Sequence, residues 1–473
     1  MLWSIALCVI ALVIICLTHF VLKWRNPKCN EVLPPGSMGL PFIGETIQLI
    51  IPSHSLDVPQ FIKERVQRHG CAADPEFNHF ILLQDGKLVE AWYLDLFAKV
   101  FKQGENKADR ASIHKYTRKI SLNHFGVESL KGKLLPKIEE MVHKTLSSWS
   151  SQECIEVKYA TSVMTLDFGA KQLFSYDDEK SPMNFCDKFI NFSRGLMSFP
   201  LNIPGTAYYK CLEDYNKTFE MLANVVQERR ASPDRQHGDV HDHVIEDMNV
   251  EKFLTGDVVV QLMFGLLFVN FDSLSSTLTL VFKLLSENPL VLEELTVTEN
   301  EAILRRREKS DSPITWEEYK SMTFTLHVSA IDLTWSIHVV NETLRLGSAA
   351  PGFLRRARQD IQVNGYTIPA GWAIMVAASA LQLNPDTYED PPAFNPSRWK
   401  DLKANVIAKN FMPFGGGMKQ CAGAEYSRVL LVIFLHVLVT KYRWTKIKGG
   451  NIVRNPILQF KDSIHIKISK KHG

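Results

Sequence analysis

Phe414-Gly-Gly-Gly-Met-Lys-Gln-Cys421-Ala-Gly423 runs directly into an apolar, helix-competent stretch, Ala424 to Val439. A cysteine in a glycine-rich bend at the head of such a run offers its sulfur on an exposed loop, near a helix N-terminus where a thiolate is stabilised. That makes Cys421 a candidate iron ligand. The three glycines allow close backbone approach to a flat ligand, and Phe414 supplies an apolar face beside the sulfur. A glycine-rich loop around an inert buried cysteine is the competing reading, and this stretch alone does not dismiss it.

Two further motifs lie upstream, Glu342-Thr-Leu-Arg345 and Phe394-Asn-Pro-Ser-Arg398-Trp399. In this order and at these separations the three resemble the Cys-loop, Glu-x-x-Arg helix and Pro-x-Arg segment of the cytochrome P450 family of haem-thiolate monooxygenases. The resemblance runs from Pro34 to the C-terminus. Asp74-Pro-Glu-Phe-Asn-His-Phe80, Leu201-Asn-Ile-Pro-Gly205 and Asn364-Gly-Tyr-Thr-Ile-Pro-Ala-Gly-Trp372 resemble most the plant microsomal clan that oxidises sterols, brassinosteroids and triterpenoids.

The resemblance implies a mainly α fold with small β-sheets and a haem b, iron protoporphyrin IX, whose iron takes Cys421 as axial ligand. Phe414, Gly415, Gly417, Lys419 and Gly423 would line the bend around it. His114 and Arg118, four apart on one helix face, match residues that reach a haem propionate; from the residues alone they read equally as a solvated basic face with Lys115 and Lys119. Arg355 matches a strand arginine that meets a propionate. Lys419 stands where an arginine or histidine is usual and keeps the charge without the bidentate fork, so weaker haem retention is expected. Gln382 replaces a common histidine, with no consequence derivable from sequence.

Glu342 and Arg345 share a helix face, and Arg398 completes an expected buried ion-pair network that locks the meander carrying the Cys-loop. An ordinary surface pair is the alternative.

At 473 residues and 45% apolar content, the chain suits one large helical domain with an internal pocket as well as two or three ordinary ones. A formal net charge of +3 gives no electrostatic footprint for nucleic acid. The eight cysteines lack paired metal spacing, which suits free thiols in a reducing compartment.

Residues 2–22 hold no formal charge apart from His19 when protonated, and at about 1.5 Å per residue they are just long enough to cross a bilayer. A signal peptide competes, but the run lacks a basic start and a small-residue cleavage site. Lys23, Arg25 and Lys28 follow, so the bulk of the chain is expected in the cytosol. The expected organisation is a single-pass endoplasmic reticulum anchor over 1–22, a basic and proline-rich hinge over 23–45, and a haem-binding catalytic domain over 46–473. Pro34-Pro-Gly36 and Pro41 stiffen the hinge.

Two irregularities follow from the resemblance. Relatives place two strands before the Pro-Glu-Phe helix, whereas here Gly70-Cys71-Ala72 leads straight into Asp74-Pro75. The main sheet is thus expected to lack its first hairpin and to leave strand edges and apolar surface uncovered. Leu326 to Ile337 adds about a dozen residues that relatives lack. Together these point to a splice variant or a mis-joined gene, which sequencing the transcript would test.

His237, Asp239, His241, Asp242 and His243 suggest a metal site, but they sit in a polar stretch that reads better as a solvated linker. Gly195 to Tyr209, apolar with two prolines, resembles the loop over the substrate entrance. Arg305-Arg-Arg307 reads as a solvated helix face, or as a docking patch for an acidic electron donor.

The apolar run from Val250 to Leu285 is expected to form the central helix, stopped at Asn288-Pro289; Asp257, Asn270 and Asp272 argue against a second membrane crossing. Val269-Asn270-Phe271-Asp272-Ser273 occupies the place of the family's oxygen-handling signature. Asp272 and Ser273 are the candidate proton-transfer pair, with a polar pair satisfied in the core as the alternative. Asn270 and Val269 are bulkier than usual there and put the oxygen groove in question.

The function implied is hydroxylation of a sterol or triterpenoid drawn from membrane lipid, with molecular oxygen and electrons from NADPH through cytochrome P450 reductase. An isomerase or dehydratase on the same fold and an impaired, non-catalytic product remain alternatives. NADPH dependence separates the first alternative; absence of a thiolate-haem spectrum marks the second.

Overall fold

A computed structural model describes residues 11–12, 14–21, 31–34, 45–49, 51–69, 74–93, 107–176, 185–196, 198, 201–231, 238–306, 313–323, 335–348, 352–455 and 457–471. In chain order the helices used below are α1 (Gln60–His69), α2 (Pro75–Leu83), α3 (Lys107–Phe125), α4 (Leu135–Ser150), α5 (Val157–Phe174), α6 (Phe185–Leu196), α7 (Ala207–Ala231), α8 (Val240–Asp247), α9 (Gly256–Glu287), α10 (Pro289–Arg306), α11 (Trp316–Thr323), α12 (Trp335–Gly347), α13 (Ala378–Gln382) and α14 (Ala424–Lys441). The strands are β1 (Val89–Ala91), β2 (Ile155–Glu156), β3 (Phe353–Ala357), β4 (Ile361–Val363), β5 (Tyr366–Ile368), β6 (Ala373–Val376), β7 (Tyr442–Lys448), β8 (Ile452–Asn455), β9 (Ile457–Phe460) and β10 (His465–Lys470). The chain is mainly helical with small sheets, as its motifs imply.

Local chemistry sets several boundaries. Asp74 caps α2 by accepting from the Glu76 amide at 2.9 Å, and Pro75 occupies the first helical position where its missing N–H costs nothing. The central helix α9 begins at Gly256 rather than Val250, because the Thr255 hydroxyl caps it through the Val258 amide. It ends before Pro289, as expected.

Helix α9 is the organising element. Its C-terminal half, Leu274, Leu278, Val281, Phe282 and Leu285, packs with Ile138, Val142 and Leu146 of α4 and with Val429, Leu430 and Phe434 of α14. The Phe282 and Phe434 rings meet edge-on at 6.0 Å. The N-terminal half packs Met263, Phe264, Leu267 and Phe271 against α5, α6 and α7 through Leu166, Phe189, Phe192 and Tyr215. Each such side chain contributes about 1.5–3 kcal/mol of burial. Among the described residues α9 alone is long and apolar enough to cross a membrane, and half of its apolar window is buried here, as in a core helix.

The principal sheet has order β1-β3-β6, antiparallel throughout, with Val89 opposite Ala357 and Phe353 opposite Val376. The second is β2-β10-β7, and β4-β5 and β8-β9 are hairpins. With no strand described between α1 and α2, β1 pairs directly with β3. The apolar surface expected to lie bare is covered: Phe61, Ile62 and Val66 of α1 pack against Met375, Ala377 and Ala380. The far edge of β6 has no strand partner among the described residues.

Other expectations are corrected or fall outside the described residues. The polar stretch after Gly238 is a helix, not a linker: Asp239 caps α8 through the Asp242 amide at 3.0 Å, and Asp239 and Asp242 both grip Arg229. His237, Arg307 and residues 324–334 of the extra segment are not among those described, and Trp335 to Ile337 already belong to α12. Of the expected anchor, residues 14–21 are helical and leave Ile14, Ile15, Leu17 and Phe20 exposed, whereas 1–10, 13 and 22–30 lie outside the description. Within the hinge, Val32 is tied to the domain, since the Thr367 amide of β5 donates to its carbonyl at 2.8 Å.

Candidate functional site

The Glu-x-x-Arg and Pro-x-Arg motifs converge on one carboxylate, that of Glu342. Glu342 and Arg345 of α12 are fully buried; Arg345 donates Nε to Glu342 Oε2 at 2.8 Å and Nη2 to Oε1 at 2.7 Å. Glu342 also accepts from Arg398 Nε, the Asn395 amide and Trp399 Nε1, each at 3.0 Å. One carboxylate thus closes a network from α12 to the Pro-x-Arg segment, which excludes the surface-pair reading. Gln382 gains a role that sequence did not reveal: its carbonyl accepts from Arg345 Nη1 at 3.0 Å, and its Nε2 donates to the carbonyls of Leu344 and Arg345.

Cys421 sits on the bend before α14 with its side chain exposed and its amide donating to the Phe414 carbonyl at 2.9 Å. The protein mass behind the loop pushes its thiol up; the Gly423 backbone, Arg118 and Arg428 pull it back. The Phe414 ring carries the Arg428 guanidinium at 4.7 Å.

The glycines serve the bend first. Gly415 and Gly417 have φ of +70° and +65°, and a Cβ on Gly417 would lie 2.3 Å from the Leu82 carbonyl of α2. The close approach seen at Gly417 is to the backbone of α2. A Cβ on Gly423 would stand 3.9 Å from the Cys421 sulfur.

Four cationic candidates gather beside this loop. Arg118 of α3 donates Nη1 to the carbonyl of Gln420, next to Cys421. His114, one turn earlier, is half-buried; burial, Lys419 and Arg118 together hold its imidazole below the ordinary range. Burial likewise lowers Lys419, with Asp85 opposing and Arg355 adding to the effect. Arg355 is 6% exposed, and its Nε lies 3.3 Å from Asp85 Oδ2 without hydrogen-bond geometry, so both atoms remain buried and unsatisfied. Asp85, which sequence reasoning missed, is the only acid that faces this cluster in those interactions. Four bases against one carboxylate, a guanidinium nitrogen lacking an acceptor and a solvent-facing sulfur fit a flat, dianionic, metal-bearing group. The donor set suits haem.

On α9 the signature residues divide between faces. Val269, 59% exposed, and Ser273, also exposed, stand one turn apart, and Ser273 Oγ donates to the Val269 carbonyl at 2.6 Å. Asp272 points elsewhere: its Oδ1 accepts from Ser193 Oγ of α6 at 3.1 Å and lies 3.7 Å from Lys158 Nζ of α5. Lys158 also donates to Ser275 Oγ at 2.6 Å and Ser276 Oγ at 2.8 Å. Adjacent helical residues diverge by about 100°, so the side chains of Asp272 and Ser273 point apart here. Asn270 also leaves the open face; its Nδ2 donates to the Thr165 carbonyl of α5 at 2.8 Å. It does not fill the groove as its bulk suggested.

A separate surface groove of about 1480 Å³ between α3, α4, α5 and α8 has Lys133, Lys137 and His124 on its walls and contains none of the motif residues. At the expected entrance, Leu201, Ile203 and Tyr209 are exposed, in keeping with an apolar loop.

Comparison with known proteins bears on the whole chain. A family model described as Cytochrome P450 matches residues 69–468. The beta-amyrin 16-alpha-hydroxylase of Maesa lanceolata is 45% identical, over 99% of this chain and 100% of its own length. The cucurbitadienol 11-hydroxylase of Siraitia grosvenorii is 47% identical, again over 99% and 100%. Among solved structures, the retinoic acid bound cyanobacterial CYP120A1 superposes with a TM-score of 0.76 at 23% identity, covering 93% of this chain and 100% of that one, which speaks for the fold.

Proposed function

The chain belongs to the cytochrome P450 family of haem-dependent monooxygenases, and from that premise we propose that it hydroxylates a sterol or triterpenoid, taking electrons from NADPH through a membrane-bound reductase. The observation that carries this reading is the exposed Cys421 sulfur at the head of a buried helix, beside four basic side chains opposed by a single carboxylate. Haem with a thiolate ligand, when bound, supplies reductive activation of molecular oxygen and insertion of one oxygen atom into a carbon–hydrogen bond.

The chain's own residues do the rest. Cys421 would hold the iron through its sulfur, and Arg118, His114, Lys419 and Arg355 would hold the propionates. The Glu342–Arg345–Arg398 network keeps the loop at one height. Val269 presents an apolar wall to the substrate. Ser273 Oγ, on the same face, releases and regains a proton at its hydroxyl. Asp272, held by Lys158 and Ser193 about 100° around the helix from Ser273, is the acid that relays a proton to it through side-chain rotation or water.

The apolar residues of segment 14–21 and the exposed Leu201, Ile203 and Tyr209 suit a protein seated on the endoplasmic reticulum membrane, taking a lipid-soluble polycyclic substrate from it. The relatives' names, which refer to beta-amyrin and cucurbitadienol, support a triterpenoid.

The test is expression of the full chain in microsomes with a reductase. A red-shifted reduced carbon monoxide band and NADPH-dependent hydroxylation of a beta-amyrin, cucurbitadienol or sterol panel are expected. Turnover without NADPH would instead establish isomerase or dehydratase chemistry. A well-expressed chain with no such band would overturn the reading.

A further inference from the structure

Helix α5 carries a notch where α9 crosses it. In a helix the side chain of residue i+4 leans back over the turn holding residue i, so a side chain at 169 would cover the Thr165 carbonyl. Position 169 is glycine, and the carboxamide of Asn270 fills the space left: its Nδ2 lies 2.8 Å from the Thr165 oxygen and 2.5 Å from where a Cβ on Gly169 would stand. The carbonyl already serves α5's own ladder, so the amide takes its second lone pair.

The same side chain also lies near the Cys-loop helix α14. Asn270 Oδ1 and the hydroxyl of Tyr426, the fifth residue after Cys421, are each buried without a hydrogen bond of good geometry. Burial raises the Tyr426 phenol, and the Asn270 side chain pulls it partly back, so the two lie within electrostatic reach. Tyr426 is fixed in turn by the Phe168 ring of α5, stacked at 6.5 Å and 8°, and by Phe125 of α3 at 5.1 Å. Asn270 therefore sits where α5, α9 and the helix bearing Cys421 meet.

We propose that Asn270 is a positioning residue whose carboxamide, locked into the Gly169 notch and set against Tyr426, fixes the rotation of α9 about its axis and so the placement of Val269 and Ser273 relative to the Cys421 sulfur. Residues 269 and 273 differ by about 40° around the helix, with 270 beside them, so any rotation that releases Asn270 swings both. Lys158 and Thr161 hold the same seam further along, through Asp272, Ser275, Ser276 and the Ser275 carbonyl, so of these hydrogen bonds the one from Asn270 lies nearest Val269. The inference rests on the haem-thiolate reading of the site.

The experiment is a double-mutant cycle on the full-length, haem-loaded protein with Gly169→Ala, Asn270→Ala and the double variant. It reads the carbon monoxide band, product formed per NADPH consumed, and amide hydrogen exchange at residues 269–274 of the haem-free protein. Each single variant is expected to keep the band, lower coupling about ten- to a hundredfold and speed exchange at those amides. The double variant is expected to resemble Asn270→Ala alone, because the methyl group then meets no amide. Wild-type coupling and exchange in Asn270→Ala, or a Gly169→Ala loss that persists in full without Asn270, would overturn the inference. Should Gly169→Ala not fold, Asn270→Ala decides by itself. A wild-type chain lacking the band sinks the haem-thiolate reading, whereas an intact band with additive variants sinks this inference only.

Discussion

Trp399 donates its indole Nε1 to Glu342 Oε2 at 3.0 Å, so the residue after the Pro-x-Arg arginine is bound to the same carboxylate as the arginine itself. Glu342 serves both guanidinia, the indole and one backbone amide while being fully buried. Glu342→Ala would leave Arg345 and Arg398 without their counter-ion in the interior, a loss of about 3–5 kcal/mol. Urea titration is expected to show that loss, together with disappearance of the carbon monoxide band. A variant that keeps both stability and band would show that the network does not hold the loop.

Cys421 should behave differently with and without haem. In the haem-free protein, the protein mass behind the loop holds the thiol above its ordinary range, so alkylation of this exposed sulfur by iodoacetamide is expected to be slow at pH 7 and to accelerate above the ordinary thiol value of about 8.5. Haem loading should abolish labelling at every pH in that range, and Cys421→Ser should lose the red-shifted band. Equal labelling of loaded and haem-free protein would separate this sulfur from the iron.

Lys419 brings a point charge where a guanidinium would bring a fork. Lys419→Arg is expected to slow transfer of haem to an excess of a haem-scavenging apoprotein several-fold, because the planar group grips a carboxylate through two hydrogen bonds. Faster loss would mean that the space around Asp85 and Arg355 is too small for the longer head group.

Two histidines link folding to acidity. Burial, with Lys137 and other nearby cations, lowers His124 to about 4, and burial with Lys400 lowers His338 to about 4. Both stay neutral in the folded chain while the unfolded chain takes up protons below about 6.5. Stability is therefore fully present above pH 6.5 and is lost as pH falls toward 4, by up to about 1.4 kcal/mol per pH unit for each group. His124→Gln should flatten the slope measured by urea titration between pH 6.5 and 4.5. An unchanged slope would show that this imidazole is solvated.

Local chemistry made much of the architecture legible in the sequence. The Cys-loop, the Glu-x-x-Arg and Pro-x-Arg motifs, the cap at Asp74 and the stop at Pro289 each act within a few residues, so spacing and residue type expose them without coordinates. Apart from the union of Arg398 with Glu342, which the family resemblance implied, the partnerships between distant segments had no such signature. Nothing at positions 85 and 355 announces that Asp85 meets Arg355, nothing in Gln382 foretells its bonds to α12, and the glycine at 417 does not reveal that Leu82 is what comes near it.

The signature on α9 divides along the same line. Its residues could be identified in order along the chain, but which face each one takes depends on the helices packed around it. Neighbouring helical side chains point about 100° apart, so Lys158 and Ser193 draw Asp272 to one side and Gly169 admits Asn270 on another, leaving Val269 and Ser273 to the open face. Residue order alone determined the presence of the parts and the family they belong to; the crossing of α5 over α9 decided which of them face the same space, because a helix's rotation is set by what packs against it.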